Sequence, residues 1–216
     1  LEFRRVLFRS DDPKIKLKID HTYRVAALCE RIAKAAGMCA YDVELAWLSG
    51  MLHDVGRFEQ IKRYNTFSDA DSVDHAKFGA DLLFKDGLIS TFLNGMVKCT
   101  GYKPGALEDR YSSDGVFLYD RLNKSDMEML ELAIRCHNMY RIPQGLNSRE
   151  QAFCNVLRDA DKVDIFKVNI DTPLEEIYNT TTEELMKSDI TDEVLEAFDE
   201  EHCILKAIRR DRKSVV

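Results

Sequence analysis

Residues that interrupt helices are scarce in this sequence. Its 216 residues include 10 glycines and 4 prolines, too few for a β-sandwich or barrel built on many turns. No apolar run is long enough to span a membrane, and the arginine-rich start has no apolar stretch that would indicate a signal peptide. We therefore expect a cytoplasmic protein with no membrane partner.

Cysteine pairs and an excess of positive charge are missing as well. The six cysteines form no Cys-x-x-Cys motif, and most lie in stretches with a helical pattern, which favours buried reduced thiols over disulfides or a thiolate zinc site. Lysine and arginine (31) are outnumbered by aspartate and glutamate (38), and the formal net charge of −7 is unsuited to binding an extended nucleic-acid backbone. A metal ion or an arginine can still hold the phosphate of a small molecule on such a protein.

Apolar residues recur with helical spacing almost everywhere between about 14 and 208. They make up 45% of the chain, which is enough for a hydrophobic core. The pattern predicts an all-α, single-domain helical bundle over 11–208, with non-native or disordered tails at 1–10 and 209–216. The segment 100–124 is rich in glycine and aromatic residues, and we expect it to form a long loop or lid.

Six helices can be outlined from the apolar stripes and from the residues that flank them. The first is expected to end at Gly37 and the second to be closed by Gly56. A capping-box pattern at Ser125 is expected to begin the fourth. The apolar stripes or helical segments span 17–32, 45–55, 73–85, 127–134, 148–168 and 191–208, with Asn147 or Ser148 as the cap of the fifth helix and Thr191 or Asp192 as the cap of the sixth.

Residues of the types that bind metals lie on these stripes or at a helix end. They are His21, His53, Asp54, His75, His137 and Asp161. Each alone is more often a core residue than a ligand, but imidazoles and carboxylates directed inward from several helices indicate a metal centre. Asp161 is the most informative, because an ionised carboxylate on an apolar stripe is unfavourable unless a cation compensates its charge. Arg158 and Lys162 lie on other faces of its helix, so we expect its partner to come from elsewhere in the chain.

The order of these residues resembles the H…HD…D signature of the HD superfamily of metal-dependent phosphohydrolases. His21, His53-Asp54 and Asp161 match its positions, and the run 53–57 is similar to the family's HD-x-G-[KR] turn. The run 74–79 resembles the H-x-x-x-G helix of members with two metals. Later runs, at 137–138, 142–146 and 159–164, resemble the HD-GYP branch, although Cys136-His137 stands where that branch has paired histidines. The resemblance covers about 15–170, and it implies a helical bundle of the HD and phosphodiesterase type around a central metal site.

The resemblance also implies one or two divalent metal ions. The first would be bound by four residues and the second by three, with Asp54 bridging both: His21, His53, Asp54 and Asp161 for the first, and Asp54, His75 and His137 for the second. Because the paired histidines are not present, one ligand of the second site is either missing or replaced by Cys136. The mixed nitrogen and oxygen ligands suit iron, manganese, zinc, cobalt or nickel, with magnesium as a further candidate.

Two cations and several aromatic residues are candidates for contacts with a substrate. We expect Arg57 and Lys162 to bind a phosphate, although Lys162 could equally be a solvated cation at the helix surface. Tyr102, Tyr111 or Phe67 could stack against a base, or the first two could simply pack the lid down.

The sequence thus predicts a metal-dependent phosphohydrolase that cleaves a phosphoester of a nucleotide or a related small molecule by metal-activated water. One alternative is a non-catalytic HD-like helical module for signalling or for sensing a nucleotide or metal. Another is a plain helical scaffold with core histidines. The sequence leaves open the natural substrate, the choice between monoester and diester, the number and identity of the metals, and the oligomeric state.

Overall fold

The computed structural model describes residues 13–98, 122–171, 181–187 and 190–200. All regular structure in these ranges is helical, which confirms the predicted all-α class. The helices are α1 (Pro13–Ala35), α2 (Ala40–Leu52), α3 (Val55–Tyr64), α4 (His75–Ala80), α5 (Leu88–Lys98), α6 (Lys124–Cys136), α7 (Ser148–Asp171), α8 (Thr182–Met186) and α9 (Asp192–Asp199). Within these ranges no helix is both long and apolar enough to cross a lipid bilayer. The expected lid at 100–124 lies almost entirely outside the described residues.

α1 and α2 pack closely against each other, as the first two apolar stripes predict. α1 stops near Gly37, whose φ of 72° is a left-handed conformation that glycine adopts without strain. A Cβ added to Gly50 of α2 would lie only 2.6 Å from Cα of Ala26 in α1, so the two backbones approach where glycine allows it. This close crossing brings His21 of α1 next to His53 at the end of α2.

Gly56 does not close the second helix, contrary to the sequence-based expectation. α2 ends at Leu52, and Gly56 is the second residue of α3. A Cβ at Gly56 would clash with the carbonyl oxygen of His75 and lie 2.8 Å from the backbone nitrogen of Gly79. Glycine is therefore present here because α3 and α4 approach backbone to backbone, and not because a helix ends.

The third predicted helix is present but begins two residues later, at His75. Asp74 caps it, since its side chain accepts hydrogen bonds from the backbone N–H groups of Ala76 and Lys77. α4 continues into a π-helical turn, Asp81–Lys85, which ends before Gly87. α3, α5 and α8 were not predicted from the sequence.

The fourth predicted helix is α6 in the structure. It begins with a capping box as expected, but the residues of the box are Asn123 and Asp126 rather than Ser125. Tyr41 donates a hydrogen bond of 2.6 Å to Asp126, and Arg149 forms ion pairs with Asp126 and with Asp42. These contacts hold the N-terminal ends of α2, α6 and α7 together. α7 begins as expected, with the side chain of Asn147 accepting from the first N–H groups of the helix.

The contacts divide the chain into two compact units with a boundary between Asp164 and Ile165, inside α7. The first unit contains the hydrophobic core, whose largest buried side chains include Phe153, Leu45, Leu48 and Leu130. Every predicted metal ligand belongs to this unit. The second unit contains α8 and α9, and none of its described side chains is buried. The extent of the predicted domain, 11–208, and the two tails stay predictions.

Candidate metal centre

The structure brings all six predicted metal ligands together in the first unit. Five parts of the fold supply them: α1, the turn between α2 and α3, the start of α4, the end of α6, and α7. All six are buried: His21, His53, Asp54, His75, His137 and Asp161. Two imidazole pairs come from elements far apart in the chain and lie edge to face, with ring centroids 5.3 Å apart for His21 and His53 and 5.0 Å apart for His75 and His137.

One set of ligand atoms, called the first group here, surrounds Oδ2 of Asp54. Nε2 of His21 and Nε2 of His53 each lie 3.7 Å from this oxygen. Oδ1 of Asp161 lies 3.3 Å from Nε2 of His21 and 3.8 Å from Nε2 of His53. Ligand atoms that share one ion at about 2.1 Å lie about 3 to 3.5 Å from one another, so these spacings are close to those of a metal site.

A second group surrounds the other oxygen of the same carboxylate. Oδ1 of Asp54 lies 3.4 Å from Nε2 of His75 and 3.9 Å from Nε2 of His137. The two oxygens of Asp54 thus face two different pairs of imidazole nitrogens. This arrangement suits a carboxylate that bridges two metal ions.

The four imidazoles are oriented so that Nε2 points into the centre, because each Nδ1 has an acceptor elsewhere. Two acceptors are carboxylates and two are backbone carbonyls: Asp164 for His21, Asp69 for His75, Gly50 for His53 and Ile134 for His137, at 2.6 to 2.7 Å. A proton on Nδ1 leaves a lone pair on Nε2, which is the form that binds a metal.

Three of these Nε2 atoms have either no hydrogen-bond partner or only another imidazole nitrogen as a partner, among the residues that the structure describes. Nε2 of His75 and Nε2 of His137 lie only 3.1 Å apart, so two lone pairs face each other when both protons are on Nδ1. Nε2 of His53 is fully buried and has no hydrogen-bond partner among the described residues. A buried polar atom of this kind calls for an explanation, and a shared metal ion supplies one.

The protonation of most of the centre also fits metal binding, and His21 is the exception: burial opposes its protonated form, but hydrogen bonds with Asp161 and Asp164 outweigh burial and raise its pKa. Burial lowers the pKa of His53, and it lowers the pKa of His137 to about 3, so both imidazoles are neutral near pH 7. Burial opposes ionisation of Asp54, but Lys18 and the neighbouring histidines outweigh it and hold the pKa of that carboxyl well below its usual range. Neutral imidazoles and ionised carboxylates are the forms that coordinate metals.

Asp164 and Asp69 accept hydrogen bonds from imidazoles of the centre, and neither was predicted from the sequence. Asp164 accepts from Nδ1 of His21 and pairs with Arg24 through hydrogen bonds of 2.6 and 3.0 Å. Asp69 accepts from Nδ1 of His75, from Arg57 at 2.7 Å and from Gln60 at 3.0 Å. Asp164 follows Asp161 by one helical turn, which is a readable signal; Asp69 lies in the loop between α3 and α4, where no periodicity marks it.

The structure places both predicted phosphate-binding cations beside the centre. Nε of Arg57 lies 3.7 Å from Asp54, and its Nη1 donates to Asp69, Gln60 and the carbonyl oxygen of Phe67. Lys162 donates a hydrogen bond of 2.7 Å to Asp161, which the placement of the two residues on different helix faces did not predict, whereas His21, at 3.3 Å, is a partner from elsewhere in the chain as expected. The flexible four-carbon stem lets the ammonium group reach around the helix.

A third cation, Lys18, also lies beside the centre and was not predicted from the sequence. Its Nζ lies 3.0 Å from Oδ2 of Asp54. It stands three residues before His21 in α1, so the two side chains share a helix face. That spacing is the only signal in the sequence that could have found it.

Cys136, the candidate replacement for a ligand of the second site, is not grouped with the predicted ligands in the structure. It is buried, and burial raises the pKa of its thiol, which disfavours the thiolate that metals bind. Among the described residues, three sets of side chains are close enough to share an ion, and Cys136 belongs to none of them: His21, His53 and Asp54; Asp54, His75 and His137; and Asp69, Asp74 and His75. Asp161 also lies outside these sets, although its Oδ1 is 3.3 Å from Nε2 of His21. Cys29 and Cys154 are buried free thiols as expected, whereas Cys39 is exposed.

A family model described as the HD domain matches residues 19–166, well over half of the chain. The protein therefore belongs to the HD superfamily of metal-dependent phosphohydrolases, as the sequence resemblance predicts. The matched range includes all six residues of the centre. No curated protein and no solved structure was found to match the chain.

Proposed function

We propose that this protein is a metal-dependent hydrolase of a phosphoester bond in a nucleotide or a related small molecule. The observation that carries this proposal is the position of Asp54, whose two oxygens face two separate pairs of histidine Nε2 atoms. A single bridging carboxylate flanked in this way is the arrangement that a two-metal phosphoryl-transfer site needs. We further propose a cytoplasmic location.

The first group would hold one ion and the second group another. Both groups combine imidazole nitrogen with carboxylate oxygen, which suits iron, manganese, zinc, cobalt or nickel, and to a lesser degree magnesium. When bound, such ions polarise a phosphoryl oxygen and lower the pKa of coordinated water. Asp54 would set the spacing of the two ions, and Asp161 would complete the first group from α7.

The remaining polar residues would orient the centre and balance its charge. Asp164 and Asp69 hold the imidazoles of His21 and His75 in the metal-binding tautomer. Arg57 and Lys162 place positive charge near the carboxylates and are proposed to attract the phosphate of the substrate.

The test compares the parent with Asp54→Ala and with the matched control Asp159→Ala, which removes an exposed carboxylate of α7. Each protein is expressed with added metal, analysed for metal content, and assayed on an aryl phosphate ester and a panel of nucleotides with several divalent metals. We expect the hydrolytic activity of Asp54→Ala to fall about 100-fold or more and that of Asp159→Ala to stay unchanged. The reason is that metal stabilisation of a phosphoryl transition state contributes several kcal/mol, or roughly 100-fold or more in rate.

Three results would contradict the proposal. Full activity in Asp54→Ala would show that Asp54 does not hold a metal ion needed for hydrolysis. A parent with less than about 0.3 metal per chain would favour the plain helical scaffold, since a site of this ligand type should be filled. A metal-loaded parent that hydrolyses nothing in the panel would favour the sensing or signalling module.

A further inference from the structure

Four cations lie near the carboxylates of the centre, and two of them are already engaged in holding it together. Arg24 donates two hydrogen bonds to Asp164, the carboxylate that orients His21. Arg57 donates through Nη1 to three acceptors, including Asp69, the carboxylate that orients His75. Moving either guanidinium onto a substrate would break the contacts that orient an imidazole.

Lys18 is placed differently. Its ammonium group lies 3.0 Å from Oδ2 of Asp54, the oxygen that faces His21 and His53, and its side chain is 23% exposed. Among the described residues this oxygen is its one hydrogen-bond acceptor, whereas an ammonium group carries three N–H donors. Lys18 therefore combines contact with the centre, access to solvent and unused donors.

Lys162 is a weaker candidate for the same contact. Its Nζ pairs with Oδ2 of Asp161, but its side chain is 55% exposed. A charge exposed to this degree is more strongly screened by water and salt than a half-buried one. The ammonium group of Lys18 is thus the better-placed point charge for an anion at the first group.

An aromatic ring lies beside Lys18. Nζ of Lys18 is 5.9 Å from the centroid of the Phe67 ring. The loop that carries this ring is held in place, because Arg57 donates to the carbonyl oxygen of Phe67. A phosphate oxygen that contacts Lys18 would therefore have a partly buried apolar surface next to it, on which an aromatic group of the substrate can pack.

From these positions we propose that Lys18 binds the phosphate of the substrate and that Phe67 packs against its organic group. The assignment rests on the proposed phosphohydrolase function. It selects phosphate esters with an aromatic or otherwise flat apolar group, such as a nucleobase, over esters with a small alkyl group.

The test uses the full-length, metal-loaded protein and two non-hydrolysable probes, phenylphosphonate and methylphosphonate. The variants are Lys18→Met and Phe67→Leu, with Lys16→Met as the matched control, because Lys16 is an exposed lysine of the same helix. Binding is measured by calorimetry, and metal per chain is measured by elemental analysis.

We expect Lys18→Met to keep its metal and to bind both probes about 10-fold more weakly, as expected for loss of a hydrogen bond to a charged group. Phe67→Leu should bind phenylphosphonate several-fold more weakly than the parent and bind methylphosphonate with unchanged affinity. Lys16→Met should behave as the parent does.

The assignment is overturned if Lys18→Met binds both probes like the parent, if it loses its metal, or if the parent binds neither probe. It is also overturned if Phe67→Leu weakens both probes equally. The outcome is separable from that of the proposed function, since a parent that cleaves no ester but binds phenylphosphonate through Lys18 would refute hydrolysis alone. A parent that cleaves esters while Lys18→Met binds normally would refute only the assignment of Lys18.

Discussion

The four imidazoles of the centre are supported in two chemically different ways. In each group, one imidazole donates to a carboxylate and the other to a backbone carbonyl. A backbone acceptor cannot be changed by substitution, whereas Asp164 and Asp69 can. Substitution of Asp164 therefore tests the first group alone, and substitution of Asp69 tests the second group alone.

We expect Asp164→Asn to weaken metal binding at the first group about 10- to 100-fold, because an amide of the same shape accepts less strongly and no longer favours the proton on Nδ1 of His21. Competition with a fluorescent chelator measures the affinity. Asp159→Asn, an exposed position of the same helix, is the control. Unchanged affinity in a folded Asp164→Asn protein would show that the carboxylate does not orient the ligand.

The residues that could be predicted from sequence are those with an unusual position in a periodic pattern. A histidine or aspartate on an apolar stripe is conspicuous, which is how His21 and Asp161 were found. Asp69 has no such context, because it lies in the loop between α3 and α4 and meets His75 only through the folding of that loop. Lys18 reads as an ordinary helix lysine until its distance from Asp54 is known.

At the scale of helices, the contact between Gly56 and Gly79 positions half of the centre. The backbone of α3 approaches that of α4 so closely that no Cβ fits at Gly56. Asp54 stands directly before α3, and His75 is the first residue of α4. The distance between these two ligands therefore depends on the glycine contact.

We expect Gly56→Ala to lower the free energy of unfolding by about 2 to 3 kcal/mol, because the added methyl group overpacks against backbone atoms that cannot turn away. It should also lose metal from the second group. Gly37→Ala is the comparison: its Cβ meets nothing within 4 Å, but its φ of 72° costs about 1 kcal/mol for alanine. Urea denaturation measures the free energy of unfolding of both variants. An equal decrease in the two would contradict the proposed role of the contact between Gly56 and Gly79.

The helices themselves were predictable where one face is apolar over several turns, as in α1, α2 and α7. The ends of the helices were harder to predict, because a glycine can mark either a helix end or a close approach of two backbones. Gly56 marks a close approach. α3 was missed for a related reason. It follows α2 after only His53 and Asp54, with no linker to mark a new helix.

At the scale of the first unit, the centre joins elements that are remote in the chain. His21 and Asp164 are 143 residues apart in the chain, and Nδ1 of His21 lies 2.6 Å from Oδ2 of Asp164. The opposed Nε2 lone pairs of His75 and His137 at the meeting point are unfavourable unless a proton or a metal ion lies between them. A metal that binds only the folded chain should therefore stabilise the whole unit.

We expect removal of metal by a chelator to lower the melting temperature, and refilling to restore it. An ion at 100 times its dissociation constant would contribute about 2.7 kcal/mol. Differential scanning calorimetry measures the shift, and Asp54→Ala should show none on refilling. A parent with the same melting temperature in both states would mean that the ion does not hold these elements together.

The separation of the ligands along the chain has a consequence for biosynthesis. His21, His53, Asp54, His75 and His137 all precede Asp161, which leaves the ribosome after them. Until translation has passed this last carboxylate, the emerging polypeptide can offer only an incomplete first group. A metal ion in the first group could therefore gain its full set of proposed ligands only once the chain had been made as far as α7.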